Sequence, residues 1–517
     1  MNHPVWDLPG LGSGWIIGII SIIHVSIAHL VVGVGAWLAV MESRSREGGP
    51  DMALWIQGRA KALLWLSGIF GAGTGVGIWL SIGLVNPTAT QHLIRAFVMA
   101  WAIEWALFAG EMATLVGLAY FYHRLKPNQR AVLAWSYALC AWLSLVVING
   151  IITFMLTPGT WPTTHRMWDG FWNATYLPSL LLRTGIALVL GGLWGLAVSA
   201  KIPSTLRDRA LRPASLFVLA GLVVAAFSAW FYFHELSSAT QVALVDALKL
   251  AMGDFRGFLI GLGMVLGLAV VAFWGVMSLA LGALGWSVGI RKLAVVLGLM
   301  GLLFAALIYA FGGEAWRALQ HFGAWLKGAG IPGLTHGFRW ALMGLGAFLV
   351  PAGVALGTLL WPRFLTRFMA TVALLLACWG FGGFEWIREV ARKPYVIREV
   401  MYANGIRKDQ VEAYQKGGFL AQNVWARTFA ASKGDTDLAK GEALFRAQCL
   451  ACHTRDGYRS LKRSTAKFAQ EDAIAFVQLL RELDPEMNPY LDKMPPFAGT
   501  DEEAALAGKY LASLNGK

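Results

Sequence analysis

Hydrophobic positions in this chain come in long unbroken runs, not in the alternation of a soluble fold. Such runs occupy 14–41, 59–85, 94–122, 131–156, 177–200, 213–234, 256–284, 292–311, 338–361 and 366–390. A helix needs about 20 apolar residues to cross a bilayer. The pattern therefore predicts ten membrane spans and an all-α polytopic bundle over 1–390. After Val390 polar residues return. Residues 391–436 read as a linker with helical segments, and 437–517 as a small compact α-helical domain.

Charge orients the bundle. Basic residues fall in alternate connections: Arg44, Arg46, Arg59 and Lys61; Arg124, Lys126 and Arg130; Lys201, Arg207, Arg209 and Arg212; Arg291 and Lys292; Arg363 and Arg367. The intervening connections, such as Trp161 to Trp172, are less basic. Lys and Arg are retained on the cytoplasmic side, so the N-terminus is expected outside. With an even number of spans the C-terminus is outside too, in the periplasm of a bacterial inner membrane. Composition agrees: 57% of residues are hydrophobic and 14% charged, against about 25% charged in soluble proteins. The net charge of +13 is explained by these loops and gives no reason to expect a nucleic-acid partner. Met1 to Gly14 has no basic n-region, so the first run reads as a permanent span and not a cleavable signal.

Chemistry is densest near the end. Cys449-Leu450-Ala451-Cys452-His453 is a c-type haem attachment motif. Two thiols on one turn can form thioethers to a haem, and His453 then lies under the iron. Gly441 and Phe445 occupy positions where small class I cytochromes c place a close-packing glycine and an aromatic. The distal ligand should be a thioether: Met494, in Met494-Pro495-Pro496, with Met487 as the rival. The prolines keep that loop non-helical. Asp501 to Leu514 reads as a closing helix. Cys140 and Cys378 lie in apolar runs and read as core residues.

Ionisable residues inside spans are costly and mark functional sites by default. The first span carries His24 and His29, and the third Glu104 and Glu111. Seven residues apart, the carboxylates share one helical face. The histidines could ligate haem, shuttle protons or be hydrogen-bonded structure, and the carboxylates favour proton conduction or haem contact over ion pairing.

The membrane part resembles subunit I of cytochrome bd quinol oxidases. Ile23-His24-Val25 through Met41-Glu42-Ser43 is similar to the family's first helix, whose haem-ligating histidine falls on His24. Ala102-Ile103-Glu104 and Glu111 resemble the helix with two acidic proton-path residues, with the spacing one residue shorter. Arg166-Met167 resembles the stretch before the family's fifth helix. Ala391 to Val400 resembles the family's Gly-Arg-Gln-Pro-Trp segment, with Arg392 at the arginine, Tyr395 at the tryptophan and Glu399 at a haem-ligating glutamate. The departures matter equally. The ligands of the family's low-spin haem fall on Arg183 and near Ala341, neither able to bind iron. The quinol loop is shortened, spans 256–284 and 292–311 are additional, and the c-haem domain replaces the last helix.

The resemblance implies a bd-like oxidoreductase with one covalent haem c and one or two non-covalent haems b or d. His453, Met494, His24 and Glu399 would ligate iron, with Arg392 beside them and the role of His29 open. Glu104 and Glu111 would carry protons. Electrons would come from a periplasmic cytochrome c or other redox donor, the quinol site being lost. O2 would be the acceptor and a second bd-like subunit the membrane partner. The alternative is a non-catalytic b/c-type electron-transfer subunit linking a quinone pool to a periplasmic partner. A third reading leaves the c-haem as sole cofactor on a structural or assembly protein.

Overall fold

The computed structural model describes residues 6–45, 49–200, 202, 204–236, 344, 346–362 and 365–516. The chain divides into two compact units, and all described residues belong to the one formed by Met1–Leu236 and Met343–Lys517. The architecture is an all-α polytopic bundle. Seven helices among the described residues are long and apolar enough to cross a membrane: Ser13–Ser43, Gly49–Val85, Val98–Tyr120, Pro127–Phe154, Tyr176–Ser199, Leu206–His234 and Arg367–Glu389. They match seven of the ten expected spans. The runs 256–284 and 292–311 lie outside the described residues. So does part of 338–361, of which Val350–Leu360 is a short apolar helix.

Backbone polar groups in hydrocarbon must be satisfied within the segment, and helices achieve this. Pro50, Pro127 and Pro178 sit in first turns, where the missing N–H has no helical partner. Pro213 lies inside its helix. The fifth span, Tyr176–Ser199, is buried on nearly every side. Its approach to the first span is set by small residues. A Cβ on Gly33 would run into the Ala187 carbonyl, and one on Gly191 into the Gly33 backbone. Such close backbone contact is how helices pack where lipid removes the hydrophobic drive.

One end of the bundle is tied by Glu42, which is buried. It accepts from Tyr122 Oη at 2.6 Å and from Arg130 Nε at 2.8 Å. The other end is covered by the chain after Ala391. A short hairpin, Tyr395–Ile397 with Met401–Tyr402, meets the end of the second span, where Asn86 Nδ2 donates to Ala403 O at 3.2 Å. Arg398 N donates to Met155 O at 3.0 Å, just beyond the fourth span.

The stretch expected as a linker with helical segments carries three short helices. Helices Val411–Gly417, Phe419–Gln422 and Val424–Ser432 put Val411, Phe419, Ala426 and Ala430 into one apolar cluster with the C-terminal helices. Glu503 is the tie. Its buried carboxylate accepts from Phe419 N and Leu420 N, both at 2.7 Å, and from Thr500 N at 3.0 Å. Thr500 caps the final helix, Asp501–Ser513. Gly441 lies against Leu506 and Tyr510, and the Phe445 and Tyr510 rings are 5.4 Å apart.

Replacing Glu503 with Ala should destabilise this segment by about 3 kcal/mol, since charge-assisted bonds to backbone donors are lost. Hydrogen exchange at the Phe419 and Leu420 amides should accelerate. Unchanged exchange would show that Glu503 does not hold the segment.

Candidate functional site

The helix Asp437–Gln448 ends directly at Cys449, and Cys452 N and His453 N both donate to Cys449 O, at 3.2 and 3.0 Å. The motif is thus one tight turn. Both thiols are unpaired, and burial, with Cys452 beside it, pushes the Cys449 thiol up to about 12. His453 Nδ1 lies 3.1 Å from Arg459 O. A carbonyl can only accept, so Nδ1 carries the proton and Nε2 keeps a free lone pair. Burial lowers the pKa of this imidazole, against the bond to the Arg459 carbonyl, which raises it.

Across from the motif, Gln448 Nε2 donates to Ala498 O at 3.0 Å, and Ala498 N donates to Gln448 Oε1 at 2.9 Å. This reciprocal pair pins the loop after Met494 to the turn before Cys449. Met494 is half-buried and Met487 is 60% exposed. Among the described residues no three His, Cys, Asp or Glu side chains are grouped to hold a metal ion. The two thiols and the His453 lone pair are the donors that a covalent haem would use.

The same argument separates the two membrane histidines. His24 Nδ1 is 3.0 Å from Thr74 Oγ1, and Thr74 spends its proton on Phe70 O at 2.6 Å. Thr74 therefore accepts from His24 Nδ1–H, and Nε2 is free. Gly75 lies beside the ring, where a Cβ would come within 3.2 Å of Cε1. Just before Thr74 the second span contains a π-helical turn, Leu66–Gly71, a feature frequent at functional sites. The chemistry of this imidazole fits a haem ligand held in orientation by a hydroxyl.

His29 does not share that freedom. Its Nδ1 donates to Val25 O at 2.7 Å, and its Nε2 accepts from Arg183 Nη1 at 3.5 Å. Phe381 packs on the ring at 4.5 Å. Arg183 is fully buried and pairs with Glu385 at 2.7 Å, and Glu385 pairs with Arg388 at 3.0 Å. Where the resemblance expects a haem ligand, an ion-paired guanidinium occupies the space. Glu385 and Arg388 were not legible as a site, because charges in the last turns of a span are ordinary at an interface.

The third span turns Glu104 and Glu111 to one side. Ser144 Oγ donates to Glu104 Oε1 at 3.4 Å, and Glu111 is buried beside the fourth span, where Gly110 approaches Cys140. Glu399 lies elsewhere. It sits in the left-handed region, φ 58°, in the hairpin turn, with its side chain 54% exposed and paired with Lys408. Arg392 is buried, bound to Glu389 at 2.6 Å, Val396 O at 3.1 Å and Met155 Sδ at 3.3 Å. The structure does not bring Glu399 together with His24 in any hydrogen bond or ion pair.

No protein-family model and no curated protein matches the chain. Among solved structures, the bd oxidase from Geobacillus thermodenitrificans is similar at 12% identity and TM-score 0.47, covering 76% of this chain and 90% of that one. At that distance the likeness does not assign the chain to a family.

Glu385 is the carboxylate between two buried cations. Glu385→Leu should lower thermal stability in detergent more than Arg183→Leu, because it strands both guanidiniums. Breaking a buried pair costs about 3–5 kcal/mol. Equal melting shifts would contradict this.

Proposed function

We propose that this protein is a membrane-bound haem oxidoreductase of bd-like type. It takes electrons through a covalent haem c on Cys449, Cys452 and His453, passes them to haem held in the bundle, and reduces O2 to water. The observation that carries this reading is the free Nε2 on both His453 and His24, within one compact unit. Ser13 starts the His24 helix and donates from Oγ to Leu450 O at 3.5 Å, inside the haem-attachment motif. At 1.5 Å per residue, His24 is about 16 Å along the helix from that contact.

Bound haem would supply one-electron chemistry at iron and, where a coordination position is open, a site for O2. The chain's residues do the rest. Met494 would offer its thioether to haem c, which raises the potential of a carrier. His24 would hold iron, with its tautomer set by Thr74. Glu104 and Glu111 carry protons along the third span. Arg392 sets the end of the last span, and Glu399 would ligate a second haem after leaving Lys408.

Sidedness supports a periplasmic position for the motif. The covered end of the bundle holds the start of the first span and the ends of the second, fourth and last. The opposite end holds Arg44, Arg124, Lys126, Arg130 and Arg207, the cytoplasmic bias. The Arg183–Glu385 pair supports loss of the quinol-side haem, so a periplasmic cytochrome c or other redox donor would feed haem c directly. A second bd-like membrane subunit would complete the complex. One observation favours the alternative of a non-catalytic b/c-type carrier: His29 Nε2 and Glu399 both have protein partners.

Pyridine-haemochrome analysis of the purified protein should show one haem c together with non-covalent haem. CO should shift the spectrum of the latter. His24→Ala should abolish the CO-binding haem and leave the c-haem spectrum intact. Six-coordinate haems without CO binding would leave the carrier reading, and covalent haem alone would end both. Met494→Ala should lower the c-haem potential while Met487→Ala leaves it unchanged; the reverse would reassign the ligand.

A further inference from the structure

The residues before the first span do more than lead into it. Asp7 accepts from Arg455 Nη2 at 2.9 Å and lies 3.5 Å from Arg446 Nη1. Gly10 O accepts from Tyr458 N at 2.7 Å. Gly10 and Gly457 meet backbone to backbone, so a Cβ on Gly457 would run into Gly10. A Cβ on Gly12 would come within 3.0 Å of Thr454, and one on Gly14 within 3.6 Å of Ala451 O. The Trp15 and Tyr458 rings meet edge-on at 5.3 Å. In addition, Trp6 N donates to Leu84 O at 3.2 Å, fastening the segment to the end of the second span.

We infer that residues Trp6–Trp15 are a strap that clamps the haem-attachment turn, Leu450–Tyr458, onto the outer end of the first two spans. The c-haem domain is then a fixed relay and not a swinging carrier. This rests on the proposed electron path through haem c, and it specifies how that path is held. The contacts combine an ion pair, a backbone hydrogen bond, an aromatic pair and glycine-to-glycine contact, all on one turn of the domain. The contact with Gly10 leaves no room for a Cβ on Gly457, so the surfaces are fitted to one register there. The strap covers Leu450 and Ala451, between the two thioether cysteines. The motif turns this side to the start of the His24 helix, while Met487 and Tyr490 remain exposed. An external donor would approach from that exposed side.

Hydrogen exchange on the intact protein tests the strap without reference to haem chemistry. The Tyr458 amide should be protected in the wild-type protein. Gly457→Ala and, separately, Asp7→Asn should accelerate its exchange roughly 5–30-fold, the factor for losing one or two kcal/mol of local stability. In each variant the c-haem content and spectrum should be unchanged, which excludes misfolding of the domain. Internal electron transfer, followed after rapid reduction of haem c, should be insensitive to solvent viscosity in the wild type and slower in both variants. An unprotected Tyr458 amide, or viscosity-limited transfer in the wild type, would overturn the strap. Protection with no electron passing onward would leave the strap standing and end the proposed path.

Discussion

Inside a bilayer a polar atom must find its partner within the protein, because no water is there to supply one. That constraint orders this structure. It makes the spans helical, and it fixes which histidine nitrogen is free. His29 satisfies both nitrogens, on Val25 and Arg183. His24 satisfies one, on Thr74. The difference separates a packed imidazole from one open to a ligand, and it comes from neighbours on other helices.

The same constraint explains what stands where the resemblance expects a low-spin haem. A guanidinium cannot be left bare in the bundle, so Arg183 is matched by Glu385, and Glu385 by Arg388. A fully buried arginine therefore requires a carboxylate on a second helix. The buried chain joins the first, fifth and last spans, and its residues act as a structural unit.

Much of the fold was legible in the sequence, because a long apolar run has few alternatives to a helix. The seven described spans lie where the runs put them, and Gly441 and Phe445 pack against the helix that starts at Asp501. Less of the site was legible. Thr74 beside His24, and Glu385 beside Arg183, are separated by 50 and about 200 residues along the chain, and no local pattern announces such pairs. Residues 391–436 read as a linker with helical segments because the composition turns polar after Val390. They fold because Glu503, far downstream, accepts their backbone donors. Glu399 was placed by local resemblance, and its exposed pairing with Lys408 depends on the hairpin turn.

A c-type haem clamped at the outer end of the His24 helix would make the soluble side of the membrane the source of electrons. Oxygen uptake by the purified complex tests that most directly. Uptake should be rapid with an ascorbate-reduced soluble cytochrome c and absent with a short-chain quinol. Uptake driven by the quinol, or none with either donor, would contradict the account.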